Sequence, residues 1–232
     1  MSKNTSVWLI IPQTNLHVGN ESVANFSVID KAVQRDAVTN IPCINSSSLK
    51  GALKEYLFTK IDSGKVRELF GSVKGDRADD TRKGRVIFFD ANLIAFPRPC
   101  SDEDKLYEIV YCDEVIDEFI ESARSLGATC SVDDIKKASG INDKNGQKDI
   151  QEYKELCNNE SLPIIARNCL ENGESVNLWY EQVVPSKSVF ATLILTRDDT
   201  DLAILDEALN NNIVQIGANA TIGYGYCKMM KL

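Results

Sequence analysis

Histidine is almost absent from this 232-residue chain, which contains only His17. The cysteines number seven, an odd count, and no two of them form a CxxC pair. Structural zinc sites are usually built from paired cysteines and histidines, so we do not expect one here. Free thiols are typical of a reducing compartment, and we therefore predict a cytoplasmic protein.

Long apolar stretches are also lacking. No run reaches the roughly 18 apolar residues that a membrane-spanning helix needs. The apolar stretch near the N-terminus, residues 7–11, is too short for the core of a signal peptide. We therefore expect no membrane partner.

Positive charge is in the minority, with 26 Lys and Arg residues against 34 Asp and Glu residues and a net charge of −8. A free-standing nucleic-acid binder usually has a basic surface. Binding of nucleic acid would therefore need a locally basic face, such as that of segment 71–86, or an assembly of several subunits.

Hydrophobic periodicity predicts an α+β fold, and a length of 232 residues fits one elaborated domain, 1–232, or two small ones. The order β–α–β–β–α, then a hairpin, then β–α–β favours a ferredoxin-like (RRM-like) sheet with insertions. Segment 131–158 is polar and predicts an irregular insertion with some helix. The predicted strands are 7–11, 86–95, 106–112 and 188–195, and the predicted helices include 47–59, 65–69 and 113–125. Helix 47–59 is predicted with an apolar stripe of Leu49, Ala52, Leu53, Tyr56 and Leu57.

A β-hairpin is predicted around Asn172-Gly173, which favours a type I′ turn between strands 162–170 and 175–181. Aromatic side chains on a projecting hairpin can stack on bases. In the alternative interpretation, Trp179 packs on the body of the protein. The polar and aromatic residues on this hairpin include Arg167, Asn168, Trp179 and Tyr180.

Asp30 lies in a long loop, 13–45, close to Gln34 and Arg35. A loop of this length in a compact domain is usually functional. The carboxylate can hold a metal ion or a ribose 2′-hydroxyl near a phosphate, while Arg35 binds charge. Alternatively, Asp30 binds the backbone of its own loop.

His17 stands in the same loop and has three possible functional roles. It can act as a general acid, a metal ligand or an RNA contact. The alternative is a structural histidine, which is the commoner case for a single loop histidine.

A serine-rich helix start, Ser46–Ser48, precedes Lys50. Free backbone amides at a helix N-terminus, together with a cation, can bind phosphate. The alternative is ordinary N-capping by Ser46 or Ser47 with a solvated Lys50.

Three glycines near the C-terminus, Gly217, Gly223 and Gly225, permit close approach of the backbone to another backbone or to a ligand. Glycine-rich turns between strands are common, so the pattern alone does not specify a ligand.

Several separate motifs resemble the RAMP superfamily of CRISPR-associated proteins. More narrowly, they resemble the backbone subunit that is repeated along the Cmr-type (type III-B) effector. The resemblance spans most of the chain. The motifs are Thr14-x-x-His17-x-Gly19, Val28-Ile29-Asp30, Gln34-Arg35, Thr39, Pro42, Ser47-Ser48-Leu49-Lys50-Gly51 and the stretches 84–97, 162–185 and 215–225.

This resemblance implies a RAMP core with an insertion, 131–185, that includes a thumb hairpin, 162–185. Copies would stack along a guide RNA together with other Cmr-type subunits, and complementary target RNA would be cleaved at regular intervals. The resemblance places Asp30 at the site of metal-dependent cleavage, where it would act as a ligand of Mg²⁺ or another divalent cation, as a general base or as a positioning group, and it places His17, a second catalytic candidate, near the cleavage loop. It assigns RNA binding to Gln34, Arg35, Ser48, Lys50, Arg167, Asn168, Trp179, Gly217, Gly223 and Gly225.

Other functions remain open at this point. The chain could be a guide-coating scaffold that cuts nothing, because two glycines that the family often has near Asp30 are replaced here, one by Asn20 or Glu21 and one by Ser27. It could also be the backbone subunit of the sister Csm-type effector. A stand-alone nuclease that processes guide RNA is a further alternative, which the 162–185 hairpin disfavours.

Overall fold

The residues that the computed structural model describes, 4–19, 29–72, 83–100, 104–141, 146–158 and 161–232, form a mixed α/β structure. Asn20, Glu21, Ser27 and most of the basic segment 71–86 lie outside these ranges. The strands are β1 (Asn4–Pro12), β2 (Cys43–Ile44), β3 (Ile87–Phe88), β4 (Ala91–Arg98), β5 (Glu108–Tyr111), β6 (Ile164–Glu171), β7 (Glu174–Gln182), β8 (Val189–Thr196), β9 (Ile213–Gln215) and β10 (Tyr226–Lys231). The helices are α1 (Ser46–Phe58), α2 (Ser63–Phe70), α3 (Asp113–Ser125), α4 (Val132–Ser139), α5 (Ile150–Leu156) and α6 (Asp199–Leu209), with a 3₁₀ turn at Ala220–Ile222.

Two antiparallel sheets are present among the described residues. The larger has eight strands in the order β2-β4-β8-β1-β10-β9, with β3 also paired to β8 and β5 to β4. The smaller consists of β6 and β7 alone. Strand β1 is central, and its Trp8, Leu9 and Ile10 are fully buried.

Helix α1 follows the predicted apolar stripe. Leu49, Leu53 and Leu57 repeat every four residues, lie on one face of the helix and are fully buried. Ala52 and Tyr56, predicted on the same stripe, are only half-buried. The helix therefore turns its leucines to the core and leaves part of the adjacent face accessible.

The strand predicted at 86–95 is wrong in its first half. Two short strands, β3 and β4, occupy this segment, and both pair with β8. Asp90 lies between them, and its carboxylate accepts a hydrogen bond from the backbone N–H of Ser46 at 2.5 Å. The strand predicted at 106–112 is shorter than expected, since Leu106 is 94% exposed and β5 begins at Glu108.

Segment 131–158 is more regular than predicted. Helix α4 begins with a capping box between Ser131 and Asp134, which satisfies free amides at the helix start. Ile135 and Tyr153 are fully buried, and the Tyr153 hydroxyl donates to the carbonyl of Leu93 at 3.2 Å. This segment therefore contributes to the main core.

The hairpin is built as predicted. Asn172 and Gly173 have φ angles of 52° and 87°, and a type I′ turn requires positive φ at both positions. Most side chains of β6 and β7 are exposed, but Glu181 and Gln182 at the end of β7 are buried. The hairpin thus extends from the body and is rooted by these two residues.

None of the helices in the described ranges is long and apolar enough to cross a membrane.

Candidate nucleic-acid interface

Asp30 lies against the second strand of the hairpin. Its backbone N–H donates to the carbonyl of Tyr180 at 3.0 Å, and its carboxylate accepts from the Tyr180 N–H at 2.7 Å. Lys31 forms a parallel bridge with Glu181. The carboxylate is therefore held by hairpin backbone 150 residues away in sequence, while the Asp30 side chain remains exposed.

His17 is buried beneath this contact. Its ring Nδ1 lies 2.7 Å from the carbonyl oxygen of Gln182, and its Nε2 lies 3.5 Å from the carboxylate of Glu181. A carbonyl only accepts hydrogen bonds, so Nδ1 carries a proton. The structure thus places His17 behind the loop that bears Asp30, in contact with the hairpin root.

Glu181 connects three parts of the chain at this root. Its side chain is 1% exposed and forms an ion pair with Arg167 on the neighbouring strand. It also accepts a hydrogen bond from the side chain of Asn219 at 2.7 Å. Arg167 lies over the ring of Tyr224, with 4.7 Å between the guanidinium carbon and the ring centroid. The hairpin is therefore attached to the C-terminal glycine loop by the hydrogen bond from Asn219 to Glu181 and by the stacking of Arg167 on Tyr224.

The remaining hairpin residues differ in exposure. Asn168 is exposed and accepts a hydrogen bond from the Ser175 hydroxyl at 2.7 Å. Trp179 is half-buried, with the Lys31 ammonium 5.2 Å from its ring centroid, whereas Tyr180 is 37% exposed. Trp179 is thus partly covered by the loop that carries Asp30, and Tyr180 is the more accessible aromatic ring.

Gln34 and Arg35 make bonds inside the protein. The side-chain carbonyl of Gln34 accepts from the backbone N–H of Asn45 at 2.9 Å. Arg35 donates to the carbonyls of Asn40 and Cys157 at 2.8 and 2.6 Å. Burial lowers the pKa of the Arg35 guanidinium. Both residues therefore hold the loop to the body, whatever they contribute to RNA binding.

The start of α1 differs from the predicted serine cap. The N-cap residue is Asn45, and its side chain makes no capping hydrogen bond. The carboxylate of Asp90 occupies the first amide, that of Ser46, so the prediction of Ser46 or Ser47 as N-cap is wrong. Lys50 is half-buried one turn further on.

A groove of about 450 Å³ separates α1 from the glycine loop. It brings together Ser48 and Gly217, two predicted RNA-binding residues from distant parts of the sequence, whereas Lys50 is not in its lining. Tyr56 borders this groove and also a neighbouring cavity that contains Lys60 and Lys65. The groove is lined by Val18, Gly19, Ser48, Gly51, Ala52, Glu55, Tyr56, Thr59, Gln215 and Gly217.

The glycine loop depends on close backbone approach, as predicted. A Cβ atom on Gly217 would lie 2.4 Å from the carbonyl oxygen of His17, and one on Gly225 would lie 1.9 Å from that of Ile216. All three predicted glycines have positive φ, but a Cβ on Gly223 would meet open space. Gly217 therefore also fixes the glycine loop against the histidine loop.

Asp30 is the carboxylate to which a divalent ion is assigned by the sequence prediction. Within the described part of the chain, no group of three or more His, Cys, Asp or Glu side chains could hold a metal ion. Mg²⁺ commonly binds one or two carboxylates and takes its other ligands from water and substrate phosphates. The single exposed carboxylate of Asp30 is compatible with that chemistry.

Residues 10–228 match the family described as the RAMP superfamily. The chain belongs to this superfamily. Among curated proteins, this RAMP protein is similar to the CRISPR system Cmr endoribonuclease Cmr4 of Pyrococcus furiosus, with 27% identity over 93% of this chain and 92% of that protein. The CRISPR system Cms endoribonuclease Csm3 of Streptococcus thermophilus is 39% identical over a shorter region, 35% of this chain and 40% of Csm3.

Solved structures with similar folds include chains of Cmr complexes. A chain in the cryo-EM structure of the type III-B Cmr-beta bound to cognate target RNA has a TM-score of 0.74 at 21% identity, covering 98% of this chain and 97% of that one. The crystal structure of oligomeric Cmr4 from Pyrococcus furiosus has a TM-score of 0.70 at 21% identity, covering 98% of each chain.

Sequence reasoning missed four residues of this RAMP protein that the site depends on: Tyr56, Glu181, Gln182 and Asn219. Glu181 and Gln182 are a polar pair just before Val183-Val184, where the hairpin enters the body, and buried polar pairs usually have specific partners. Asn219 has a φ of 65°, a left-handed conformation that asparagine tolerates. The sequence contains the polar pair and the asparagine, but their burial, backbone conformation and partners appear only in the structure.

Proposed function

We propose that this protein is a guide-RNA-binding backbone subunit of a type III-B CRISPR effector and that it cleaves complementary target RNA at regular intervals. The observation that carries this proposal is the exposed Asp30 carboxylate, hydrogen-bonded to the root of a projecting hairpin. A hairpin that displaces one nucleotide would present the neighbouring phosphate to that carboxylate. The similarity to Cmr4 over nearly the whole chain supports the same function.

The proposed partners are the guide RNA, the complementary target RNA, further copies of this chain and other Cmr-type subunits, acting in the cytoplasm. An acidic protein can bind RNA when neighbouring copies share one strand and each contributes a small local site. The likeness to chains of oligomeric Cmr4 and of Cmr-beta bound to target RNA supports this arrangement.

The guide strand would occupy the groove between α1 and the glycine loop. Ser48 lies in the first turn of α1, and Gly217 faces it from the opposite side of the groove. Tyr56 offers a half-buried ring on which a base can stack. Because Glu55 is the charged residue in the lining, the guide would be held there by hydroxyl, backbone and ring contacts rather than by cations, which suits a sequence-independent grip on a single RNA strand.

The proposal includes a ferredoxin-like core with a thumb. In chain order, β1, α1, β4, β8, α6 and β10 form a β–α–β–β–α–β unit, and the observed order β4-β8-β1-β10 supports that topology. The hairpin β6–β7 is inserted between β5 and β8 and forms its own sheet. This separate sheet is the proposed thumb.

Cleavage would proceed by attack of a ribose 2′-hydroxyl on the adjacent phosphorus. The 2′-oxygen forms a new bond to phosphorus while the bond to the 5′-oxygen breaks, which leaves a 2′,3′-cyclic phosphate and a 5′-hydroxyl. This in-line geometry requires an unstacked nucleotide, which the thumb would supply. Asp30 would hold a divalent ion, accept the 2′-proton or orient the sugar, and water would supply the proton that the leaving 5′-oxygen takes up.

Reconstitution tests this function directly. Bound at Asp30, Mg²⁺ or another divalent ion would stabilise the charge that develops on the phosphate. We expect the complex assembled with guide RNA to cut a complementary target at regularly spaced positions in Mg²⁺ and to bind it intact in EDTA. Cleavage at the same rate in EDTA would contradict metal dependence. A target that stays intact in Mg²⁺ would contradict the proposal that this subunit is an endoribonuclease.

A guide-coating scaffold is the second candidate function. It is favoured by the internal bonds of Gln34 and Arg35, which are structural and require no catalysis. The shorter match to Csm3 also keeps a Csm-type backbone subunit as an alternative. Co-purification with Cmr-type rather than Csm-type subunits decides between the two effector types.

Charge reversal at Lys50 is expected to weaken guide retention. Lys50→Glu places a negative charge near the first turn of α1. The loss of one phosphate contact should lower the slope of log affinity against log salt concentration by about one unit. The measurement is guide affinity at several salt concentrations. Lys137→Glu, on helix α4, serves as the control. Equal effects of the two variants would show that the start of α1 does not bind phosphate.

A further inference from the structure

We infer that Gln182 is a positioning residue that couples the catalytic loop to the thumb, so that Asp30 moves with the hairpin as one unit. This inference rests on the proposed function, because it takes Asp30 as the catalytic carboxylate. It concerns a residue that does not itself touch RNA, since its side chain is 0% exposed.

Gln182 binds both arms of the loop that carries Asp30. Its side-chain carbonyl accepts from the backbone N–H of Val33 at 3.2 Å, and its backbone N–H donates to the carbonyl of Lys31 at 2.9 Å. On the other arm, its backbone carbonyl accepts from the ring Nδ1 of His17 at 2.7 Å. One buried residue at the hairpin root therefore fixes the chain on either side of segment 20–28.

The two arms are also joined to one another and to the residues that directly follow Gln182. Gly19 and Val33 form an antiparallel bridge, and Leu16 exchanges two backbone hydrogen bonds with Val184 at 2.9 and 2.8 Å. The Gln182 side chain adds a direct link to Val33, three residues after Asp30. Among the described residues, backbone bonds join the hairpin at Asp30 and Lys31 and reach Val33 indirectly, through its bridge to Gly19.

The consequence is geometric coupling. Asp30 is bound through Tyr180 on the same strand, two residues before Gln182. When target RNA orients the thumb, the carboxylate must follow, because β7 and residues 30–33 share these bonds. A misplacement of about 1 Å can reduce an enzymatic rate about 100-fold. Loss of the Gln182 link should therefore affect cleavage far more than target binding.

Gln182→Met tests this coupling, because methionine keeps the length and burial of the side chain and removes the acceptor for Val33. In the complete effector with guide RNA, we expect target affinity within about twofold of wild type. We expect the single-turnover rate at saturating target to fall roughly 10- to 100-fold. Cuts should also spread to neighbouring phosphodiester bonds, and amide hydrogen exchange should accelerate in peptides covering 29–34 but not 7–11.

Thr192→Val provides the matched control. Thr192 is fully buried in β8, and its hydroxyl donates to the carbonyl of Phe89 at 2.9 Å, away from the hairpin root. We expect a loss of thermal stability comparable to that of Gln182→Met, with an unchanged cleavage rate and unchanged cut positions. If both variants lose cleavage in proportion to their stability, Gln182 is structural and the inference is overturned.

Asp30→Ala separates this inference from the proposed function. If Asp30→Ala abolishes cleavage while Gln182→Met cuts at the wild-type rate and positions, the coupling is wrong and the catalytic assignment stands. If Asp30→Ala cuts normally, the catalytic assignment itself is wrong.

Discussion

An effector complex that carries Asp30→Ala is expected to bind complementary target RNA with unchanged affinity and to cut it at least about 100-fold more slowly, the usual minimum for the loss of a positioned acid, base or charge. The affinity should persist because Asp30 contributes one exposed side chain, whereas binding is spread over base pairing and the guide groove. The measurement is single-turnover cleavage of a labelled target alongside equilibrium binding.

Asp30→Asn separates the charge from the geometry. An asparagine oxygen can still accept from the Tyr180 N–H, so the loop should keep its place on the hairpin. If charge is required, Asp30→Asn is as inactive as Asp30→Ala; if Asp30 only orients the loop, Asp30→Asn retains most of the activity. Asp117→Ala, an exposed carboxylate on α3, controls for a general loss of negative charge. Wild-type cleavage by Asp30→Ala would contradict the assignment.

Gly225→Ala is expected to destabilise the protein strongly. Gly225 has a φ of 76°, which costs an L-residue about 1–2 kcal/mol. Its added Cβ would also lie 1.9 Å from the carbonyl oxygen of Ile216, and such overpacking costs roughly 1–3 kcal/mol more. For a domain of this size, the sum predicts a fall in Tm of roughly 5–15 °C, measured by calorimetry.

Gly223→Ala is the matched control for this prediction. Gly223 has a φ of 84°, similar to that of Gly225, but its Cβ would meet no atom within 4 Å. Only the backbone strain should remain, about 1–2 kcal/mol. Equal losses in the two variants would show that the approach of Gly225 to Ile216 contributes nothing.

Local features of this fold were predictable because their causes are local. The type I′ turn at Asn172-Gly173 follows from two residues that tolerate positive φ, and α1 follows from leucines spaced four apart. The capping box at Ser131 was equally readable, yet the polar composition of 131–158 suggested irregular structure. Its buried Tyr153 shows that a few apolar residues are enough to anchor such a segment.

The site was predictable only in part because its contacts are long-range. Asp30 was identified from its motif, but the partner that holds it, Tyr180, is 150 residues away. His17 was placed near the cleavage loop, and its burial against Gln182 depends on a strand 165 residues away. No periodicity encodes such pairings, because they arise only when the sheet and the hairpin are assembled.

The ends of the large sheet bear on how copies can associate. Its outer strands, β2, β5 and β9, are only two, four and three residues long. Short edge strands offer few unpaired backbone groups and so resist edge-to-edge pairing, the usual route to uncontrolled fibres. The large sheet therefore offers little edge for one copy to pair with the next, and copies on a shared RNA would associate through other surfaces of the chain.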